Sequence, residues 1–268
     1  MRSKMRILQY SLPVAVLFIV GWNYVGRSTP TTGKFKDLTL TVATPRTRYL
    51  ELEPIPIEVT LKNETQMSLV GHRALGFDSG YLRLYVTRND GPHEIGQLSI
   101  SQKLVEAQTR EFKPGDEIKR MERLNLKLNE VFPVPGTYEL TARLSSGDGE
   151  ETISSKPISV EIAEPIGLDA QALEFIRAND EPAFFFTGAR VINEPKKLQT
   201  LEHFVVVFGQ SAYGDEASLL LAKAQFANGE NQKARAQFEK LSKKSDFTFA
   251  GEASEYLKRV DRSEKKVH

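Results

Sequence analysis

Between residues 35 and 164 the apolar positions recur at every second residue. Leu38, Leu40 and Val42 share one face, as do Ile55, Ile57, Val59 and Leu61. The same alternation runs through Leu82, Leu84 and Val86, through Leu124, Leu126 and Leu128, through Tyr138, Leu140, Ala142 and Leu144, and through Ile158, Val160 and Ile162. A period of two puts successive side chains on opposite faces of a strand, so each run predicts a half-buried β-strand. Pro54 and Pro56 mark a strand start or a sheet edge. Turn chemistry separates the runs at Asn89-Asp90-Gly91, Pro114-Gly115-Asp116, Pro135-Gly136 and Ser145 to Gly149. Short strands with turns between them and no helical period predict an all-β sandwich.

From Ile166 to Arg262 the period changes to that of helices. Ala172, Phe175, Ile176 and Asn179 fall near one face, with Asp169 placed as an N-cap. Leu198, Leu201, Val205 and Phe208 make a second stripe, and Ala253, Tyr256, Leu257 and Val260 a later one. Between these lies "SLLLAKAQFANGENQKARAQFEKL", two apolar-faced helices around a Gly-Glu-Asn break. The run Phe184 to Phe186 suits a buried helix or a short strand equally.

The N-terminus has a third pattern. Arg2, Lys4 and Arg6 precede Ile7 to Gly26, a stretch without formal charge, and Arg27 closes it. About 20 helical residues cross a hydrocarbon core of ~30 Å. The basic cluster predicts a cytoplasmic N-terminus and an extracytoplasmic body. The stretch reads as an uncleaved single-pass anchor, or as a signal peptide whose removal would leave a secreted protein; Gly26-Arg27-Ser28 matches poorly the small-residue cleavage site that a signal peptide needs.

Composition narrows the chemistry. The 268 residues carry 36 basic and 35 acidic side chains, without the concentrated basic excess of a nucleic-acid binder. There is no cysteine, which excludes disulfides, thiol nucleophiles and zinc-thiolate sites. The four histidines, His72, His93, His203 and His268, lack metal-ligand spacing, and no cofactor is expected. The loop Val70 to Gly80 holds His72, Arg73 and Asp78, a possible hydrolytic constellation set against a solvated turn. Asn63-Glu64-Thr65 fits the N-glycosylation pattern, which occurs often by chance. The mixed charges from Lys113 to Arg123 suggest a solvated strand or turn.

Two resemblances follow from these residues. "FPVPGTYELTARL" resembles the late strand of an immunoglobulin-like or fibronectin-like domain, in which a Pro-Gly turn leads to a Tyr whose hydroxyl bonds back to upstream backbone. Tyr138 is the matching residue; the paired cysteines and core Trp of antibody domains are absent. The helical stretch resembles a tetratricopeptide repeat, with Leu221 and Ala222 in the first helix, Gly229 at the turn, and Ala234 and Phe238 in the second. Ser218, Gln225 and Asp246 depart from that pattern, and a generic helical bundle accounts for the same spacing. The combination looks like bacterial cell-envelope proteins.

The expectation is a multidomain chain. A membrane helix or signal occupies residues 1–27, a linker 28–34, an all-β immunoglobulin-like sandwich 35–164, all-α tetratricopeptide-like hairpins 166–262 and a charged tail 263–268. The expected function is a non-catalytic, membrane-anchored binding or scaffold protein with a protein partner; the alternative is a secreted peptidase inhibitor or accessory hydrolase domain. Leu219, Lys223 and Phe226, at i, i+4 and i+7, are the candidate partner-binding residues, because that face lines the inner groove of tetratricopeptide arrays. The helix Leu198 to Phe208 or the run Phe184 to Phe186 could cover it instead, as could a second subunit.

Overall fold

The structure, a computed structural model, describes residues 33–88, 91–95, 109–124, 131–179 and 194–265. The described strands are β1 (Thr39–Ala43), β2 (Arg48–Leu50), β3 (Ile55–Lys62), β4 (Leu69–His72), β5 (Leu82–Arg88), β6 (Gly91–Glu94), β7 (Thr109–Phe112), β8 (Glu117–Leu124), β9 (Gly136–Ser145), β10 (Thr152–Ser154) and β11 (Ile158–Ala163). The described helices are α1 (Leu168–Ala178), α2 (Pro195–Phe208), α3 (Gly214–Ala227), α4 (Asn231–Ser242) and α5 (Ala250–Lys265).

The strands form three sheets. One has the order β1-β3-β8 and a second, two-stranded sheet pairs β4 with β7. The largest runs β2-β11-β9-β5-β6, with β10 also on β9. The alternation seen in the sequence becomes burial. Ile55, Ile57, Val59 and Leu61 of β3 are fully buried, as are Leu82 of β5 and Leu140, Ala142 and Leu144 of β9. Each large aliphatic side chain removed from water in this way is worth roughly 1.5–3 kcal/mol. The eight-residue β8 is different. It reads Glu-Ile-Lys-Arg-Met-Glu-Arg-Leu, buries only Leu124, and is held by full antiparallel register with β3 from Ile55↔Leu124 to Lys62↔Glu117.

Two local features fix the strand layer. The Tyr138 hydroxyl donates to the Val134 carbonyl at 2.5 Å, the backward bond expected of this residue, and its ring meets Phe132 edge-on at 4.9 Å. Asn63 is fully buried after β3. Its amide donates to the carbonyls of Met67 (2.7 Å) and Phe112 (2.8 Å). Its carbonyl oxygen accepts from the Thr65 N–H (2.9 Å) and hydroxyl (2.8 Å). All of its main polar capacity is spent within the chain.

The expected fold class is corrected in three respects. The architecture is mixed α/β and not an all-β sandwich followed by tetratricopeptide-like hairpins. First, β2 and β11 pair in parallel inside an otherwise antiparallel sheet; alternation reports a strand's buried face but not its direction. Secondly, one hydrophobic cluster runs from the strands through Ala172, Leu173 and Ile176 of α1, Leu201, Phe204 and Phe208 of α2, and Ala217, Leu220, Leu221 and Ala224 of α3. In a repeat array each unit packs only on its neighbours; here α1 to α3 share their core with the sheets. Thirdly, no helix among the described residues is long and apolar enough to cross a membrane. The stretch Ile7 to Gly26, on which that expectation rested, lies outside the described residues, as do Leu126, Leu128 and Phe184 to Phe186.

Asp169 does not cap α1 either. Gly167, at φ 58°, occupies the N-cap position. The Asp169 carboxylate instead accepts the Ala212 N–H at 2.8 Å, which ties α1 to the α2–α3 turn.

Candidate binding cleft where strands meet helices

Three segments far apart in sequence enclose a cavity of about 730 Å³: the chain around β2 from Pro45 to Pro56, the turn and first residues of α3 at 210–216, and the α4–α5 connection at 244–249. Each wall is fixed by its own chemistry. Pro54 and Pro56 stiffen the entry to β3. In the α2–α3 turn a Cβ on Gly214 would sit 2.3 Å from the Gly209 carbonyl oxygen, so only glycine permits that closeness. Tyr213 then anchors the turn. It is fully buried, its hydroxyl donates to the Glu51 carbonyl at 2.7 Å, and burial pushes its phenol well above the ordinary range. The third wall carries Phe247 and Phe249, both buried.

Most charges around the cleft are held in ion pairs, and one of these groups crosses from a strand to the helices. Arg46 pairs with the buried Glu53, which also accepts the Leu50 N–H at 2.8 Å. Lys244 pairs with Asp215 at 2.5 Å. Arg123, near the end of β8, donates to Glu216 of α3 at 3.2 Å and to Glu252 of α5 at 2.9 Å, and its guanidinium lies 3.7 Å over the Phe249 ring. The planar guanidinium suits this bridging: it offers five donors in fixed directions and stacks on an aromatic face.

The two carboxylates held by Arg123 differ in state. Burial pushes Glu216 above the ordinary carboxylate range, and the opposing pull of Arg123 does not cancel it. Burial acts on Glu252 too, but Arg123 and Lys223 together outweigh it and hold this carboxyl below the ordinary range. One cation thus serves a reluctant anion and a stable one.

The candidate partner-binding residues lie next to this network, on the far side of α3. Leu219 is buried with Ala222, Ala234, Phe238 and Val260. Phe226 is half-buried and meets Tyr256 of α5 edge-on at 6.3 Å. Lys223 pairs with Glu252 at 2.5 Å and lies 5.2 Å from the Tyr256 ring centroid. The structure brings the three together, but α5 packs on the face they form. Among the described residues the helices that cover this face are α4 and α5; Phe184 to Phe186 lies outside the described residues.

The Val70 to Gly80 loop is also placed. His72 is buried between the rings of Phe35 (5.7 Å) and Tyr81 (4.9 Å). Its Nδ1 accepts the Ala74 N–H at 3.1 Å, which leaves Nε2 to donate to the Ser145 carbonyl at 2.8 Å. Both nitrogens are committed to backbone, so this histidine is a packing and tethering residue and not a base. Arg73 is exposed, and the Asp78 side chain lies outside the described residues. Among the described residues no group of three or more His, Asp or Glu side chains is arranged to hold a metal ion.

The cleft residues were not legible as a site beforehand. Glu53, Asp215, Glu216 and Lys244 carry no motif, and their meeting depends on the helices folding back onto β2 and β3. The one local signal was the Pro54–Pro56 spacing.

No known protein family's profile matches this chain. No curated protein matches it either. Among solved structures, it is similar to a mutant β-glucosidase from Listeria innocua in complex with laminaribiose, at 12% identity over 50% of this chain and 17% of that one, with a TM-score of 0.30. It is also similar to the sporulation control protein Spo0M from Bacillus subtilis, at 16% identity over 53% of this chain and 56% of that one, with a TM-score of 0.28. A β-glucosidase from Erythrobacter marinus gives 10% identity over 47% of this chain and 15% of that one, with a TM-score of 0.28. The chain therefore spans from about a sixth to just over half of these neighbours' lengths, and the likeness carries no assignment of fold or activity.

Proposed function

We propose that the protein is a non-catalytic binding protein and that its partner, another protein, engages the cleft between strands and helices. The observation that carries this reading is the composition of the cleft. Pro54, Pro56, Phe247 and Phe249 form its stiff and apolar parts, and Arg46–Glu53 and Lys244–Asp215 sit at its margins. The rest of the lining is polar, with Gln210, Ser211, Glu216, Ser245, Asp246 and Thr248 between these parts, and such a mixed surface suits a protein partner. The two marginal pairs are already satisfied internally, so they can orient a partner without leaving a buried charge bare when it departs. The sequence supports a body outside the cytoplasm: Arg2, Lys4 and Arg6 stand ahead of the uncharged stretch 7–26.

Cutting the chain after Glu164 would not test this, because the strands would lose the α1 to α3 side chains that complete their core. A point block is cleaner. Ala212 is exposed at the cleft wall, and its side chain takes no part in the core. Ala212→Trp obstructs one wall of the cleft while the backbone bond to Asp169 remains. In affinity capture from membrane extracts, the variant should lose the proteins retained by the parent chain while its denaturation midpoint stays put. Undiminished capture would overturn the reading.

A further inference from the structure

A second surface lies on the strand layer, at the free edge of β1. β1 pairs with β3 from Thr39 to Ala43 and with no other strand among the described residues. β10 pairs with β9 alone among the described residues. These two edges line a groove of about 690 Å³. Leu40, Val42 and Ile153, buried in the core, form its floor, Ile158 is half-buried at its side, and Thr39 and Thr41 stand at its β1 side. A strand with one neighbour presents half of its N–H and C=O groups to the open side.

Natural edges are usually blunted by proline, by a bulge or by a charge within the strand. β1 reads Thr-Leu-Thr-Val-Ala and has no proline and no charged residue. Its threonine and valine are β-branched, which favours extended backbone. Charge lies instead at the groove's margins, on Lys36 and Lys156. The carboxylate that lines the groove, Glu64, is already engaged: it accepts the Thr39 hydroxyl at 3.1 Å and the Lys62 ammonium at 3.3 Å. Lys156 acts on Glu64 only from a distance, Lys36 donates its backbone N–H to Glu151 at 3.3 Å, and neither ammonium forms an ion pair among the described residues. The groove therefore combines an unblunted edge, an apolar floor and two ammonium groups at its margins that have no close carboxylate partner among the described residues.

We propose that this groove takes an extended segment of a partner protein, which adds as a strand to β1 and directs carboxylates at Lys36 and Lys156. Main-chain bonds would supply the attachment, alternate apolar side chains would enter the groove, and the lysines would set polarity and register.

Three synthetic peptides test this on the whole 268-residue chain. The first alternates valine and threonine and ends in two glutamates. The second ends in two lysines. The third repeats the first with N-methyl groups on the amides of its pairing edge. Hydrogen exchange at Thr39–Ala43 should slow by about tenfold or more with the first peptide, and not with the third. Lys36→Gln with Lys156→Gln should weaken its binding by about tenfold, since each tenfold corresponds to about 1.4 kcal/mol. Unchanged β1 exchange up to the solubility limit, equal protection by the N-methylated peptide, or equal binding of the lysine-ended one would each overturn the proposal. The Ala212→Trp variant should bind the first peptide as the parent does, so failure at the cleft and failure at the edge are separate results.

Discussion

Helix α3 divides two hydrophobic clusters of different construction. On one side Ala217, Leu220, Leu221 and Ala224 join a core built mainly from strands whose partners are distant in sequence. On the other, Leu219 and Ala222 join a cluster completed by seven further buried residues, all between Ala234 and Val260. The first core is made by long-range pairing, and its cohesion is shared among three sheets and three helices. The second is local: α4 and α5 fold back on α3, and the ion pairs Lys223–Glu252 and Arg123–Glu252 hold the last helix from outside. Cooperative units of unequal stability are built in this way, and smaller local ones open first. The cleft lies at the seam, so its α4–α5 wall belongs to the weaker unit while its β2–β3 wall belongs to the stronger.

The strongest way to break this contrast is to cut one large side chain from each cluster. Phe238 is fully buried and stacks on Tyr256 at 5.3 Å; Leu61 is fully buried in β3. Phe238→Ala should cost about 3–5 kcal/mol and Leu61→Ala about 2–5 kcal/mol. The difference should lie in where the loss appears. Hydrogen exchange should show Phe238→Ala releasing α4 and α5 while β3 and β9 keep their protection, whereas Leu61→Ala lowers both together. Equal losses throughout for both variants would mean that α3 unites the clusters instead of dividing them.

A smaller effect comes from the Arg123 carboxylates. Glu252 sits below its ordinary range in the fold, so its contribution is present at neutral pH and lost as pH falls below about 4.5 through its folded value. Glu216 sits above its ordinary range, so its contribution is complete only below about 4.5 and is lost as pH rises through its folded value. Glu252→Gln should therefore lower stability at pH 7 by about 1–2 kcal/mol, less than a fully buried pair because the site is partly exposed. It should also flatten the acid limb of the stability curve. Glu216→Gln should leave pH 7 stability within about 1 kcal/mol, since it removes a poorly solvated charge while Arg123 keeps Glu252. Urea titrations from pH 3 to pH 8 would separate the two, and an identical pH response would remove the asymmetry.

The mildest change sharpens the strand side alone. Tyr138→Phe deletes the bond to Val134 and should cost on the order of 1 kcal/mol, visible as a lower urea midpoint with α4 and α5 exchange unaltered.

How much of this was legible in the sequence depends on what each pattern can report. Period-two runs identified β1, β3, β5, β9 and β11 because one face of each is buried and the alternation records it. Strand β8 gave a weaker signal: only Leu124 among its side chains is buried, so mixed charge from Glu117 to Arg123 reads as strand or turn alike. The helical stripes located α1 to α5, but a stripe states that a face is covered without stating by what. Phe204 of α2 could not reveal that it completes a strand-built core, nor Leu219 that α5 would cover it. The two helices around Gly229, at φ 80° in their turn, were legible from the apolar stripes, but the tetratricopeptide reading is overturned because α3 turns a second face to the sheets. Among the candidate sites, His72 looked chemical in the sequence only because its backbone partners, Ala74 and Ser145, are invisible there. The cleft was missed because Glu53, Glu216 and Lys244 converge only through tertiary folding.

The satisfied amide of Asn63 has a consequence for how the protein can be made. The Asn63-Glu64-Thr65 triplet is a valid acceptor for oligosaccharyltransferase, which acts on chains that have not yet folded. A glycan on that nitrogen would remove a donor needed by the Met67 and Phe112 carbonyls and would place a bulky, hydrated group at a site with no exposure to solvent. A secretory host that modifies asparagine would thus divert part of its product before the turn after β3 can close. Bacterial hosts without that enzyme avoid the competition. Thr65→Ala offers a eukaryotic route, because it abolishes the acceptor triplet while sparing both carbonyl contacts and the backbone N–H to the Asn63 side chain.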